Sequence, residues 1–433
     1  MRGLSSDFRT LFEGQAMHEK RPALSTSIDD LPVLTEMAGD RWGGDFGPLL
    51  ADLFAAEDTS LMRALDGSVL AFRNADLRAL SANRDLGNLP APLLTEAFEA
   101  SVGAESAFKR LAANHVFTMN PPSHGPMRQV FARQFMPNKV DRFRPAAIKA
   151  TRRILAAASG RPEIDFLTDF SFRLTTGFWG ELLGFSQAEV SELNSLVPHV
   201  SQAFSFIRTD EQTRLVERRA ADYLALVSTG IQRSLDVGPP DYLVEMAAEF
   251  ENAEVEKPDN IALMLAATLL DGFHTMAFGL TNVVHALLTR PEQWRAVQND
   301  PALVPNAFHE GLRLAPPAVF TQRYALADVE HAGVSIPKGT PVTMFWLAGN
   351  RDPDVFPDPD AYDLARPVAG RTTFGGGIHL CPGRSVAKMV IETALAELTS
   401  PHIEVTVTGA ADQWVPMSSM HELERMPVSI EAR

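Results

Sequence analysis

The chain has 433 residues, with 54 acidic against 39 basic side chains and a formal net charge of −15. That balance argues against nucleic acid as a partner of the whole molecule, and a hydrophobic content of 45% is that of a globular protein with a real core. A lone cysteine, Cys381, excludes an internal disulfide and any zinc site built on several cysteines, and it suits a reducing compartment.

The N-terminal stretch MRGLSSDFRTLFEGQAMHEKR is charged and has no long apolar run. It reads as neither a signal peptide nor a membrane anchor, so a cytoplasmic protein without a membrane partner is expected. Residues 1–60 are otherwise mixed, with a turn-like patch at 40–47. Apolar runs at 61–65 and 68–72 flank Asp66-Gly67, which predicts a β-hairpin. Asn74 is placed as the N-cap of a helix running to Ala82. Residues 83–115 read as a loop with helical fragments. Asn120-Pro121-Pro122 then opens a helix to about Phe135, which sets His124 and Arg128 on one face.

Amphipathic helices follow at 140–158, 166–183 and 211–235, with a loop at 236–241. Residues 259–289 form the longest apolar helical stretch and contain no proline, as expected for a helix crossing the whole molecule. Within it Asp271, His274 and Thr275 fall at i, i+3 and i+4, close enough to interact. Glu310 and Arg313 share a face on a later helix, where a bidentate pair fits. Short strands are expected around Pro337-Lys338-Gly339 and at 403–407 and 428–430, with a tip at 414–420 (WVPMSSM) between the last two.

Cys381 lies in FGGGIHLCPG, residues 374–383, directly before a helical run RSVAKMVIETALAEL. A thiolate is stabilised where backbone N–H groups converge at a helix N-terminus. The glycines let a flat cofactor approach the backbone. Arg371, His379 and Arg384 add positive charge or donors nearby. One soft axial ligand in such a loop points to iron carried by haem.

On Phe374, Gly375, Gly377, His379, Cys381 and Gly383, the loop resembles the haem-binding loop of the cytochromes P450, the haem-thiolate monooxygenases. Further elements of that family recur in order. PPSHGPMR resembles its PPxHxxxR element, which implies that His124 and Arg128 bind haem propionates. Arg323, in QRYALAD, matches a propionate-binding arginine. Glu310-Gly-Leu-Arg313 matches the ExxR helix, and Arg366, at the end of the 350–366 segment, matches the third member of its structural triad.

The resemblance implies a single domain over 1–433, mainly α with small β-sheets (α+β). It also implies a long distal helix over haem b, with Cys381 as the metal ligand and Phe374 and His379 beside the cofactor. Leu93, Leu94, Phe98, Phe108, Phe204, Phe206 and Ile207 are then candidates for the pocket, or for ordinary packing. The implied reaction inserts one atom of O2 into a hydrophobic small organic substrate, as in the soluble bacterial enzymes of secondary metabolism. Electrons are expected from a separate ferredoxin or flavodoxin docking near Arg133, Arg384 and Lys388, since the remaining length leaves no room for a fused reductase. A peroxygenase, an oxidative coupling or ring-closing enzyme, and a non-catalytic haem-binding relative are the alternatives.

The distal helix departs from the family pattern. The family places a small residue, glycine, any residue, an acid and threonine in series. Here Gly272 and Thr275 match, His274 stands at the acid and Asp271 at the small residue. Three readings follow. Asp271 keeps His274 protonated and His274 relays protons through Thr275; or Asp271 anchors a polar or cationic substrate group; or oxygen activation is weakened in favour of peroxide or a less usual oxidation.

Overall fold

The computed structural model of the chain describes residues 26–34, 46–55, 59–64, 66–103, 106–204, 208–416 and 418–432, without the side chains of 96–101 and 204. The N-terminal stretch, Phe206 and Ile207, and the side chains of Phe98 and Phe204 lie outside the described residues.

In chain order, β1 (Thr26–Ser27) and α1 (Gly47–Ala55) lead to β2 (Leu61–Arg63) and β3 (Val69–Ala71). The hairpin forms as expected, with Leu61 opposite Ala71 and Gly67 at φ 83° in the turn. Next come α2 (Asn74–Ala82), β4 (Leu86–Asn88), α3 (Ala91–Val102), α4 (Ala107–Asn114) and α5 (His124–Ala132). Two expectations change here. Asn74 is not the cap of α2; its side-chain amide donates to the carbonyls of Gly349 and Gly370 at 2.8 and 2.7 Å, and so ties α2 to a distant segment. Residues 83–115, expected as a loop with helical fragments, are more regular than that: a strand and two helices. Pro90 and Pro92 sit before and within the first turn of α3, where a missing N–H costs nothing, and Ser106 caps α4 by accepting the Lys109 amide at 3.0 Å.

The helical half continues through α6 (Arg144–Ala158), β5 (Ile164–Asp165), α7 (Phe172–Leu182), α8 (Gln187–Ser201), α9 (Asp210–Val237) and α10 (Asp241–Asn252). Then follow α11 (Ile261–Leu288), α12 (Pro291–Asn299) and α13 (Val304–Leu314). Strands β6 (Thr321–Ala325), β7 (Val329–His331), β8 (Val334–Ile336) and β9 (Pro341–Met344) come next. After α14 (Trp346–Gly349) and α15 (Arg384–Leu398), the chain closes on β10 (Ile403–Val407) and β11 (Pro427–Ala432).

The strands form three small sheets, ordered β2-β3-β9-β6-β4, β1-β8-β7 and β10-β11-β5. Pairing of β4 with β6 sets Asn88 opposite Arg323. Helix α11 runs through the core against α4, α7, α9, α13 and α15. It is apolar on every side, and a helix of that kind is stable in water only when buried. Among the described residues it is the one helix long and apolar enough to cross a membrane, and here it forms the centre of the fold. Asn260 caps it, accepting the Leu263 amide at 2.9 Å. Gly311 lets α13 approach closely, since a Cβ there would lie 3.0 Å from Val283.

Candidate functional site

The thiolate loop is shaped by backbone that only glycine adopts easily. Gly375 and Gly377 have φ of 70° and 60°. A Cβ on Gly377 would stand 1.8 Å from the Ser81 carbonyl oxygen, so the loop and the end of α2 touch backbone to backbone. The Cys381 amide donates to the Phe374 carbonyl at 2.9 Å, closing the loop. Arg384, the first residue of α15, donates to the Cys381 carbonyl at 3.0 Å, and Arg128 donates to the Leu380 carbonyl. Phe374 stacks on Phe308 of α13 with ring centroids 6.4 Å apart. Burial pushes the Cys381 thiol up, while the Gly383 amide, Arg128 and Arg384 pull the other way. Gly377→Ala is accordingly expected to lose bound haem and melt several degrees lower, as read by the haem-to-protein absorbance ratio and a thermal scan. Gly125→Ala, with nothing within 4 Å of its Cβ, is the control expected to change neither.

Beneath this loop α13 carries a buried ionic cluster. Glu310 accepts from Arg313 Nε and Nη2 at 2.9 and 2.8 Å, from Arg366 Nε at 3.0 Å and from Arg371 Nη2 at 3.2 Å. Arg366 thus stands where the sequence set it. Arg371 is a further partner of Glu310. Asn350 joins this cluster to the loop: it accepts the Thr372 amide at 2.7 Å, donates to the Thr373 hydroxyl at 2.9 Å, and its carbonyl takes Arg313 at 3.0 Å.

His124, Arg128, Arg323 and His379, drawn from α5, β6 and the thiolate loop, converge as the sequence expected. The rings of His124 and His379 lie 4.8 Å apart. Burial, then Arg128 and Arg323, push His124 down to about 4, and burial, Arg323 and His124 push His379 down to about 3. Burial lowers Arg323 to about 10. Among the described residues no carboxylate pairs with Arg128 or Arg323. The His124 Nε2 and one Arg128 nitrogen are buried with no partner in the protein. Such a cluster fits a group that brings its own anions, and a flat dicarboxylate ligated by Cys381 answers both the donors and the glycine-lined approach.

Across from the thiolate, the middle of α11 is buried except at Asp271, Gly272 and Thr275. These share one face, so the helix opens there onto interior space. The Thr275 hydroxyl donates to the Asp271 carbonyl, and the Trp179 indole N–H donates to the Gly272 carbonyl at 3.3 Å. The Asp271 side chain is 36% accessible and its Oδ2 lies 3.3 Å from His115 Nε2. Burial would raise its pKa, but His115 outweighs this and the group stays below its usual range. Its charge is felt at both Cys381 and Tyr223.

His274 takes a different place from the expected relay. It is fully buried, with Nδ1 2.8 Å from the Leu270 carbonyl and its ring edge-on to Phe278 at 5.8 Å. Burial lowers its pKa more than Asp271 raises it, so it is a neutral core residue and not an imidazolium held by Asp271. The partner of Asp271 is His115, which no motif marked.

Of the pocket candidates, Phe108 is buried in the main core and Leu94 is 42% exposed, while Leu93 is half-buried. In the 414–420 segment the Ser419 carbonyl accepts the Val319 amide at 2.9 Å, which sets Ala318 against Met420. Arg133 pairs with Glu249 at 3.2 Å and Lys388 with Glu392.

Comparison with known proteins agrees with this geometry. The cytochrome P450 family profile matches residues 195–400. Cytochrome P450 BJ-3 of Bradyrhizobium diazoefficiens is 30% identical over 397 residues, covering 87% of this chain and 92% of that protein. The chain belongs to the cytochrome P450 family. The 6-deoxyerythronolide B hydroxylase of Saccharopolyspora erythraea is 27% identical over 77% of this chain and 82% of its own. Among solved structures, epothilone B-bound cytochrome P450epoK has the same fold, with a TM-score of 0.79 at 21% identity over 90% of this chain and 97% of that one. Membership makes the protein a P450 monooxygenase of mainly α fold with small sheets, and haem with a thiolate ligand its implied cofactor.

Proposed function

We propose that this P450 inserts one oxygen atom from O2 into a hydrophobic small organic substrate, with Cys381 as the axial ligand of haem b. The observation that carries the reading is the placement of Cys381. It sits just before α15 in a loop built on Gly375 and Gly377, beside four donors that pair with no carboxylate among the described residues. The bound haem supplies reductive activation of O2. The chain's own residues do the rest. His124, Arg128, Arg323 and His379 would hold the propionates of the bound haem. Phe374 packs beneath the loop. The apolar face of α11 and the segment at 318–322 exclude water, which a dry oxidation requires.

Thr275 and Asp271 stand together on the open face of α11. We assign them to holding and delivering the protons that oxygen cleavage consumes. An acid and an alcohol are thus both present, the acid one turn earlier than the family pattern sets it. This favours O2 over the peroxide-driven alternative, for which the altered distal motif was the argument. Electrons come from a separate ferredoxin or flavodoxin. The basic groups at Arg133 and Arg384 suit an acidic partner, and a cytoplasmic setting suits the lone reduced cysteine.

The test is the spectrum of the reduced protein under carbon monoxide. The wild type is expected to give the thiolate-type band, and Cys381→Ser to lose it together with NAD(P)H-driven turnover. A Cys381→Ser protein that kept the band would remove Cys381 from the site. Turnover with peroxide but none with NAD(P)H and redox partners would decide for the peroxygenase.

A further inference from the structure

We propose that His115 is a positioning residue for Asp271, and that the carboxylate it holds makes the distal pocket select hydrophobic substrates bearing a cationic nitrogen. The inference rests on the reading above, in which the open face of α11 is the substrate side of the haem.

The protonation of His115 follows from its contacts. Its Nδ1 accepts the Phe117 amide at 3.0 Å, so that nitrogen carries a lone pair. The ring proton is therefore on Nε2, which stands 3.3 Å from Asp271 Oδ2. Through this nitrogen His115 faces the carboxylate while its other nitrogen is held by Phe117.

The ring is also fixed in place. On one side Asn114 is tied to the start of α11: its Oδ1 accepts the Asp259 amide at 3.0 Å, and its Nδ2 faces Asp259 Oδ2 at 3.4 Å. On the other, the Val116 amide reaches the Thr268 hydroxyl at 3.4 Å. The Thr118 hydroxyl donates back to the Ala112 and His115 carbonyls at 2.7 and 2.8 Å. Phe117 packs on the His115 ring at 5.2 Å. With both neighbours anchored to α11, the imidazole holds one carboxylate oxygen in a set direction and leaves the other to the cavity.

Among the described residues no lysine or arginine lies within 4 Å of this carboxylate, and its ion-pair contact is with His115. His274, one turn on, lies in the apolar core, where burial keeps it uncharged. Arg128 and Arg323 stand with His124 and His379 in the propionate cradle. Asp271 therefore sets one negative charge on an otherwise apolar helix, open to interior space. An enclosed charge without a counter-ion is costly, and a ligand that supplies the counter-ion gains what water cannot provide there. The pocket favours a hydrophobe with a positive nitrogen and disfavours a carboxylic acid.

The experiment uses the haem-loaded ferric protein and ligands of matched shape on three scaffolds: an alkyl chain, an aryl ring and a bicyclic terpenoid. Each is made with a trimethylammonium head, its neutral tert-butyl isostere and a carboxylate. A quaternary head has no lone pair for iron, so binding reports the pocket alone. Dissociation constants are read by spin-state titration and by calorimetry. On at least one scaffold the cation is expected to bind about tenfold or more tighter than the neutral isostere, with the acid weakest. The ratio falls to about one in Asp271→Asn.

Two polar variants separate positioning from bulk. His115→Gln reaches as far as Nε2 and keeps an N–H donor, and is expected to keep the preference. His115→Asn is too short, and is expected to lose most of it. Absence of any cation preference in the wild type, including no cation binding at all, overturns the proposal, as does a preference that survives Asp271→Asn. Equal behaviour of the Gln and Asn variants removes His115 from it. The reduced carbon monoxide spectrum of each preparation is recorded in parallel. Loss of the thiolate band in the wild type marks failure of the haem reading, whereas an intact band without charge preference marks failure of this one.

Discussion

Glu310→Gln is expected to cost about 3–5 kcal/mol of stability, the largest loss from any substitution of one polar side chain here. Among the described residues Glu310 is the one anion paired with these three guanidiniums. Arg313 is fully buried, and the side chains of Arg366 and Arg371 are only 9% and 7% accessible. Removing its charge leaves three enclosed cations facing a neutral amide. Arg313 cannot turn away, because it also donates to the carbonyls of Asn350, Pro359 and Ala361 at 3.0, 2.6 and 2.9 Å. For a chain of this length the loss corresponds to a fall in Tm of roughly 4 °C or more. Haem should be released before the main transition, since Asn350 links this cluster to Thr372 and Thr373 in front of the thiolate loop. Arg152→Ala, which removes an exposed partner of Glu397 at 2.8 Å, is expected to leave Tm essentially unchanged. Equal melting of the two variants would contradict the account.

The pH dependence carries a sign that separates charge from packing. Burial would raise the Glu310 pKa, but Arg313, the Asp363 amide and Arg366 together hold it below its ordinary 4.5. A carboxylate lowered on folding adds stability that is present above its unfolded pKa and lost as pH falls through its folded one. The gap between wild type and Glu310→Gln should therefore be widest near neutrality and narrow below about pH 4.5. Urea midpoints measured across pH 3.5–7.5 check this. A constant gap would mean that shape and not charge sets the loss.

The parts of this site that were legible in the sequence are those where chemistry needs fixed spacing along one chain. Cys381 with its glycines, His124 with Arg128 on one turn, and Glu310 with Arg313 are each local patterns, and the structure sets each as a unit. Arg366 and Arg323 were legible through the family pattern. What stayed hidden was set by packing between distant segments. Asn74 reads as a cap because asparagine favours that position, yet two carbonyls from elsewhere in the chain claim its amide. Residues 83–115 read as a loop with helical fragments because local pattern does not show that a full helix begins around Pro90 and Pro92. His115 carries no motif: its meaning comes from the Phe117 amide on one side and α11 on the other. His274 misleads in the opposite direction. It occupies the acid's place in the motif, but that position on this helix faces the core, and an apolar surround leaves it neutral.

Thr275→Val is expected to separate electron consumption from product. The Thr275 hydroxyl spends its own hydrogen on the Asp271 carbonyl, so its oxygen is left to accept a hydrogen bond from the cavity side. Valine keeps the shape and removes that acceptor. If Thr275 and Asp271 deliver protons, product formation should fall about a hundredfold, the low end of what a positioned proton donor contributes. NAD(P)H oxidation should continue, with the missing equivalents appearing as hydrogen peroxide. Thr275→Ser keeps an oxygen and should recover most of the coupling. His274→Phe should leave the product-to-NAD(P)H ratio unchanged and only lower stability, because its ring sits among Leu270 and Phe278 and away from the open face. The decisive comparison is between these two positions. Loss of coupling in His274→Phe with none in Thr275→Val would return proton delivery to the histidine and leave Thr275 as a helix-stabilising hydroxyl. Loss in Thr275→Val alone would tie the chemistry to the face that Asp271 and His115 share.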